Sequence, residues 1–232
     1  MATLATHLII GIQQEFRKNV SENQKIKSML ELISAGGGTY VEAGEYASEI
    51  GRILSEAILK YITPVSIPGG KITKEMADEI LKPLLKKGFV DIEAIARAVQ
   101  ANMNDAAGIA LKAVGIRQNA NRLEGLCKAA AKYETTEQAL WVLGEPVTTY
   151  LMTITAEVLK ANIEFQGAAG YAPKIIRKSV GKCCDYCDKL DGVYEYPTEN
   201  SDVFRRHDRC RCTVDYAPGD GSLQNVHTKD WR

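Results

Sequence analysis

Cysteine placement is the feature that most constrains this chain, because five of its six cysteines lie in one short stretch. Within it, Cys184 and Cys187 are separated by two residues, as are His207 and Cys210, and Cys212 follows. A two-residue turn between two ligands lets both side chains point at one ion. The two pairs together form the Cys3His set that structural zinc prefers, since thiolates are soft donors. We therefore predict a structural Zn²⁺ site in this stretch.

The sequence leaves open which four of these five residues bind the ion. Cys212 lies two positions after Cys210, and such positions share a face in a strand, so Cys212 could replace Cys210 or His207. Cys183 adjoins Cys184 and is expected to point away. Four protein ligands leave no position for a reactive water, which predicts a stabilising ion and no enzymatic activity. With only three ligands, a catalytic site would remain an alternative.

Two other states of the thiols are alternatives to a zinc site. They could be reduced side chains packed in a small β core, or a disulfide pair in an oxidising medium. Residues 1–7 carry no basic segment before the apolar residues 8–12, which argues against a secretory signal. We therefore expect synthesis in the cytoplasm, where clustered thiols bind metals more often than they pair. No apolar run approaches the roughly 18 residues that span a bilayer.

Hydrophobic residues at three- and four-residue steps predict helices along nearly all of residues 1–170. The most regular run covers residues 43–61. We predict the helix boundaries from caps and breakers as follows: a capping box at Ser21, a stop at residues 36–38, a cap at Thr73, a kink or split at Pro83, an end at Gly88, a new start at Asp91, helical pieces at about 105–114, 119–133 and 137–143, and a long helix from Pro146.

The pattern changes to short β segments after Gly170. Residues 174–180, 192–196 and 211–216 read as strands separated by turn signals. We therefore expect a mainly α protein of the α+β class, with a helical domain (1–170), a zinc-binding β-hairpin module (171–218) and a C-terminal tail (219–232). Such a small module buries little apolar surface, and a structural zinc ion would contribute on the order of 10 kcal/mol to its folding.

The spacing of the cysteine stretch is similar to that of a known phage family. Residues 184–192 read Cys-Asp-Tyr-Cys-Asp-Lys-Leu-Asp-Gly, and residues 207–212 read His-Asp-Arg-Cys-Arg-Cys; residues 162–166 and Gly170 also agree. This pattern resembles the C-x-x-C-x-x-L-x-G and H-P-x-C-R-C segments of phage minor head proteins of the Mu F-like head-morphogenesis group. One departure is Asp208, where the family has Pro. The match covers about 50 residues.

The resemblance implies a structural virion protein, made in the host cytoplasm and located in the head interior or at the portal vertex. It implies that the protein assists head assembly or DNA packaging and ejection. The implied partners are the portal protein, the major capsid protein and packaged DNA, and the chain could form an oligomer within the virion.

The chain also carries one dense basic cluster, formed by Arg205, Arg206, Arg209 and Arg211. It could contact DNA phosphates or an acidic patch on the portal. The alternative is local charge balance against nearby aspartates, which are Asp202, Asp208 and Asp215. The whole chain has 29 Lys and Arg against 29 Asp and Glu, so it lacks the basic excess of most nucleic-acid binders.

Two other functions remain as alternatives. The first is a zinc-ribbon module that recognises nucleic acid through the arginine cluster. The second is an effector enzyme that uses a three-ligand zinc ion, with Glu195 or Asp208 as the base. Neither alternative accounts for the long helical region that precedes the cysteines, whereas a structural component does.

Overall fold

The computed structural model describes residues 4–181, 184–207 and 210–219. Over this part the chain is mainly helical, with a small antiparallel sheet near its C-terminal end, as the sequence predicts. The helices are α1 (Leu4–Glu22), α2 (Gln24–Ser34), α3 (Tyr40–Tyr61), α4 (Lys74–Ala106), α5 (Ala120–Ala131), α6 (Thr136–Leu143), α7 (Glu145–Ala168) and the one-turn α8 (Asp185–Asp188); the strands are β1 (Lys174–Lys178), β2 (Gly192–Glu195) and β3 (Thr213–Ala217).

No helix in the described segments is a candidate membrane span. None of these helices combines the length and the apolar composition that a bilayer span requires.

Helix α3 lies at the centre of the bundle, where it packs against α7, α1 and α4. It follows the regular apolar run predicted from the sequence and begins at a capping box formed by Thr39 and Glu42. Two glycines allow the helices to approach closely. A methyl group at Gly51 of α3 would lie 2.8 Å from Thr148 Cα of α7, and one at Gly88 of α4 would lie 3.0 Å from a methyl of Leu151.

The predicted break in α4 is wrong. Thr73 caps this helix as expected, by accepting a hydrogen bond from the backbone N–H of Met76. The helix then runs through Pro83, Gly88 and Asp91 without ending. Gly88 is buried and lies close to Leu151 of α7, so its missing side chain serves close packing between helices and does not terminate α4.

Two further helix predictions are corrected by side-chain hydrogen bonds. The cap of α2 is Asn23, whose side chain accepts from the N–H of Ile26, whereas Ser21 donates to a carbonyl inside α1. No helix forms at 105–114, because α4 ends at Ala106 and residues 109–119 have no regular secondary structure. The side chain of Asn162 accepts from the N–H of Val114 at 2.8 Å and donates to its carbonyl at 2.9 Å, which replaces helical bonds there.

A cluster of charged side chains joins α4 to α5 at the surface. Lys74 and Lys82 of α4 both form ion pairs with Glu124 of α5, at 2.9 and 3.0 Å, and with Asp78 of their own helix. Hydrogen bonds from the two lysines lower the pKa of the Glu124 carboxyl.

The three strands form a sheet in the order β2-β1-β3, and both pairings are antiparallel. Ile175 of β1 pairs with Tyr194 on one side and with Tyr216 on the other. Side chains alternate along a strand, so Ile175 and Arg177 share the buried face of β1, and Val214 and Tyr216 are buried in β3. The apolar core of the bundle continues into this face of the sheet.

A buried polar network connects the sheet to three helices. Tyr40 of α3 donates to Gln100 of α4 at 2.9 Å, and the Gln100 amide donates to Asn104 and to the Tyr216 hydroxyl of β3. Gln166 of α7 donates to Asn104 at 2.8 Å and to the same hydroxyl at 3.3 Å. These directional contacts fix the orientation of β3 on the bundle.

Candidate metal centre

The predicted ligands come from three separate pieces of chain around the sheet. Cys184 occupies the position just before α8, and Cys187 lies inside that helix, so one helical turn brings the two sulfurs to one side. His207 follows a short 3-10 turn at Ser201–Phe204. Cys210 and Cys212 lie on the segment that enters β3.

The donor atoms of all five residues converge. The Cys187 sulfur lies 3.0 Å from His207 Nε2 and 3.8 Å from the Cys210 sulfur, and the Cys184 sulfur lies 3.2 Å from the same histidine nitrogen. The atoms form two overlapping groups, Cys184–Cys187–His207 and Cys187–Cys210–Cys212, each within 4.8 Å of one another. Cys187 belongs to both groups. This Cys/His cluster can hold a metal ion, because Zn–S bonds of about 2.3 Å in a tetrahedron place sulfurs about 3.8 Å apart.

Burial divides the cluster into an inner and an outer part. Cys187, Cys210 and Cys212 are 1%, 3% and 1% exposed and pack together as a small cluster of their own. Cys184 is exposed, and His207 is partly exposed. An ion bound to the inner sulfurs would be shielded from water on the protein side and closed by one of the two outer donors.

The protein environment shifts the pKa values of the thiols in different directions. Burial raises the pKa of Cys187 to about 11. Burial also opposes ionisation of Cys210, but the backbone N–H of Cys212 and the charge of Arg206 outweigh it and lower the Cys210 pKa. The backbone N–H of Cys187 lowers the pKa of Cys184. Since metal ligands must be thiolates, the site favours ionisation at two positions, and a bound cation would have to displace the proton at Cys187.

Two arginines of the predicted basic cluster form ion pairs with acidic residues of the same chain at the surface. Arg205 pairs with Asp202 at 3.0 Å, which is one of the aspartates expected to balance the cluster. Arg211 pairs instead with Glu145, at the start of α7, at 2.9 Å. Asp215 accepts from the backbone N–H of Tyr40.

Of the two remaining arginines of the basic cluster, Arg206 lies within the described residues and Arg209 lies outside them. Arg206 is partly buried, and its Nη1 donates to the carbonyl of Cys212 at 2.7 Å. Arg209, Asp208 and Cys183 lie outside the described part of the chain, as do residues 220–232, which are most of the predicted tail.

The other candidate base of the enzyme alternative is Glu195. Its side chain is 82% exposed and pairs with Lys174 at 3.3 Å.

The described cysteines form no disulfide. Cys127, the one cysteine outside the stretch, is fully buried in α5, where its sulfur lies 3.8 Å from the carbonyl oxygen of Ala77. Burial raises its pKa to about 12. It is therefore an inert core residue.

Sequence reasoning missed one residue beside the cluster, Arg177. Its side chain is 1% exposed, and its Nη2 lies 3.8 Å from the Cys187 sulfur. The signal was present in the alternation of β1, because Arg177 shares a face with the core residue Ile175.

Comparison with known proteins adds no relative, since no family model, no curated protein and no solved structure matches this chain. The chemistry of the cluster and the spacing of its residues are therefore the grounds for assigning a function.

Proposed function

We propose that this stretch binds one structural zinc ion through Cys187, Cys210, Cys212 and a fourth donor, His207 or Cys184. The observation that carries the proposal is the convergence of five soft or borderline donors from three pieces of chain. Thiolate and imidazole donors suit zinc and disfavour magnesium or calcium. Cys187 belongs to both donor groups, so it is the ligand on which the site depends most.

The position of the cluster supports a stabilising role for the ion. Helix α8 leads into β2, and Cys212 directly precedes β3, so an ion bound by both pieces would tie together the two outer strands. Five candidate donors surround the site, which favours a closed four-ligand ion over a catalytic ion with an open position.

We further propose that the protein is a minor structural component of a tailed-phage head, without enzymatic activity. The support is the shared spacing of the cysteine stretch with the Mu F-like group, at the residues that converge in space. The helical bundle, to which the sheet is bound by a buried polar network, suits a rigid structural part. On this proposal the protein acts inside the head or at the portal vertex, in contact with portal or major capsid protein.

The rival functions have less support. Arg205 and Arg211 form ion pairs with acidic residues of the chain, and Arg206 donates to a backbone carbonyl, so the charge of the cluster is partly balanced locally. A nucleic-acid surface would need them to face phosphates. An effector enzyme would need a base at the ion; of the two candidates, Glu195 is exposed and paired with Lys174, and Asp208 lies outside the described residues.

The metal proposal is tested by replacing one ligand and one matched buried cysteine. Cys187→Ala should abolish zinc binding and lower the stability of the sheet, because it removes the donor common to both groups. Cys127→Ala deletes an equally buried sulfur that belongs to neither donor group and should keep one zinc ion per chain. The readouts are elemental analysis of the purified protein and urea unfolding with and without a strong chelator. Wild-type protein without zinc, or a Cys187→Ala variant that retains it, would contradict the proposal.

The role in the head is tested in particles. Virions or DNA-free heads from a phage or induced prophage that encodes this chain should contain it at low copy number, as measured by quantitative mass spectrometry. Cross-linking should then join it to portal or major capsid protein. Absence of the chain from both particles would refute the head assignment while leaving the metal site untouched.

A further inference from the structure

Arg177 is a buried cation beside the cysteine cluster. Its side chain is among the largest fully buried ones in the described part of the protein. No carboxylate of the described residues forms an ion pair with it, although a buried charge without compensation is strongly unfavourable. A guanidinium cannot escape this penalty by losing its proton. Among the described residues, its counter-charge must therefore come from a group other than a carboxylate.

The contacts of Arg177 hold the guanidinium in one position. Its Nη1 donates to the carbonyls of Val203 and Arg205, at 2.7 and 2.9 Å. Its Nη2 is directed at the Cys187 sulfur, 3.8 Å away, whereas its Nε has no hydrogen-bond partner. The carbonyls orient the group but carry no net charge. The sulfur is the contact that can become an anion.

The charges match if the inner cysteines are ionised around a divalent ion. The three thiolates of Cys187, Cys210 and Cys212 carry three negative charges, and a divalent cation leaves one of them uncompensated. With His207 as fourth ligand the cluster carries one net negative charge, and with Cys184 it carries two. The guanidiniums of Arg177 and Arg206 both lie at the cluster, so positive counter-charge is available in either case.

We propose that Arg177 is a positioning residue of the metal centre, whose fixed charge beside Cys187 compensates the net negative charge of the metal–cysteine cluster and thereby sets the metal affinity. The inference rests on the proposed zinc site. It adds that the anionic charge of the cluster and the buried arginine depend on each other, so that the metal-loaded state is the one in which Arg177 is compensated.

The test compares three arginine variants. Arg177→Met removes the charge at similar volume, and Arg177→Lys keeps the charge but loses the planar guanidinium. Arg205→Met is the control, because it removes an exposed arginine two residues before His207. Zinc affinity is measured by competition with a chromogenic chelator, and the pH of half-loading is measured by titration. The absorption of the Co²⁺-substituted protein reports the number of thiolate ligands.

Arg177→Met should weaken zinc binding by about ten- to a hundred-fold, the range typical of residues that support metal ligands. Its half-loading pH should rise, because metal binding releases protons and a weaker site therefore needs a higher pH to fill. Arg177→Lys should keep the wild-type half-loading pH, and Arg205→Met should change neither quantity. An Arg177→Met protein with wild-type affinity and half-loading pH would overturn the inference. If that variant does not fold, Arg177→Lys decides, since a raised half-loading pH there would show that charge is not the cause.

Asp208 provides a second control, because its carboxylate is the nearest acid in sequence to the cluster outside the described residues. Asp208→Asn should leave the zinc affinity unchanged. If it reproduced the loss caused by Arg177→Met, the carboxylate and not the thiolates would compensate the arginine, and the inference would fail. Failure of the zinc proposal is distinct, because wild-type protein itself would then bind no zinc.

Discussion

The close contact between α3 and α7 predicts opposite effects of one substitution at two helical glycines. At Gly51, an alanine Cβ would lie 2.8 Å from Thr148 Cα and 3.1 Å from Thr148 Cγ2. The first of these is a backbone atom, so the clash can be relieved only if the helices move apart. At Gly125 in α5, nothing lies within 4 Å of the same methyl group.

The expected magnitudes follow from two competing terms. Replacing glycine by alanine in a helix interior stabilises it by about 1 kcal/mol, because the unfolded chain loses freedom and the helix gains a better former. Overpacking a filled core costs about 1–3 kcal/mol, and here the obstacle is the backbone, so the upper half of that range applies. Gly51→Ala should therefore lower the free energy of unfolding by about 1–2 kcal/mol. Gly125→Ala should raise it by about 0.5–1 kcal/mol.

Urea unfolding at fixed zinc concentration, followed by circular dichroism, measures both changes. Similar slopes of the free energy against urea in the three proteins are required for a direct comparison. A Gly51→Ala protein as stable as the wild type would refute the reasoning, because it would show that α3 and α7 are not in contact at Thr148. A loss of stability in Gly125→Ala would show that α5 is not packed as described.

Two further predictions concern the polar contacts of the fold. Tyr216→Phe should lower the free energy of unfolding by about 1–3 kcal/mol, because it removes the hydroxyl shared by two buried amides. Tyr194→Phe loses one hydrogen bond to the carbonyl of Leu190 and should lower it by about 1 kcal/mol or less. Equal losses in urea unfolding would contradict the buried network. Glu124→Gln should lower the melting temperature at pH 7 but not at pH 2. A carboxyl with a lowered pKa stabilises the fold above its ordinary pKa and loses that contribution as the pH falls through the lowered value. A difference in melting temperature that persists at pH 2 would show that the charge of Glu124 is not its cause.

Local sequence signals were sufficient where the local chain decides the structure. The apolar stripe of α3, the cap at Thr73 and the three strands lie where the pattern predicts them. These features depend on residues only a few positions apart. The two-residue spacings likewise predicted that the cysteines and His207 would converge, because a turn or a strand alone brings such pairs to one side.

The errors arose where distant residues decide. Gly88 was predicted to end a helix, but its missing side chain instead allows α4 to pack closely against α7. The helix predicted at 105–114 does not form, and the backbone of Val114 is hydrogen-bonded instead to Asn162, far along the chain. The choice of four ligands among five donors also depends on distances that no spacing encodes. Arg177 was overlooked because its importance comes from a sulfur ten positions away and from carbonyls after the next strand.

The strand order imposes a sequence of events during synthesis on the ribosome. The central strand β1 is made before either of its neighbours, and β3 begins only at Thr213. Helices α1 to α7 are complete by Ala168, so they can collapse while β1 still lacks a pairing partner on either edge. The sheet, with its long-range pairing, is thus the last part to assemble. Ion capture by donors from both later segments would coincide with that final step.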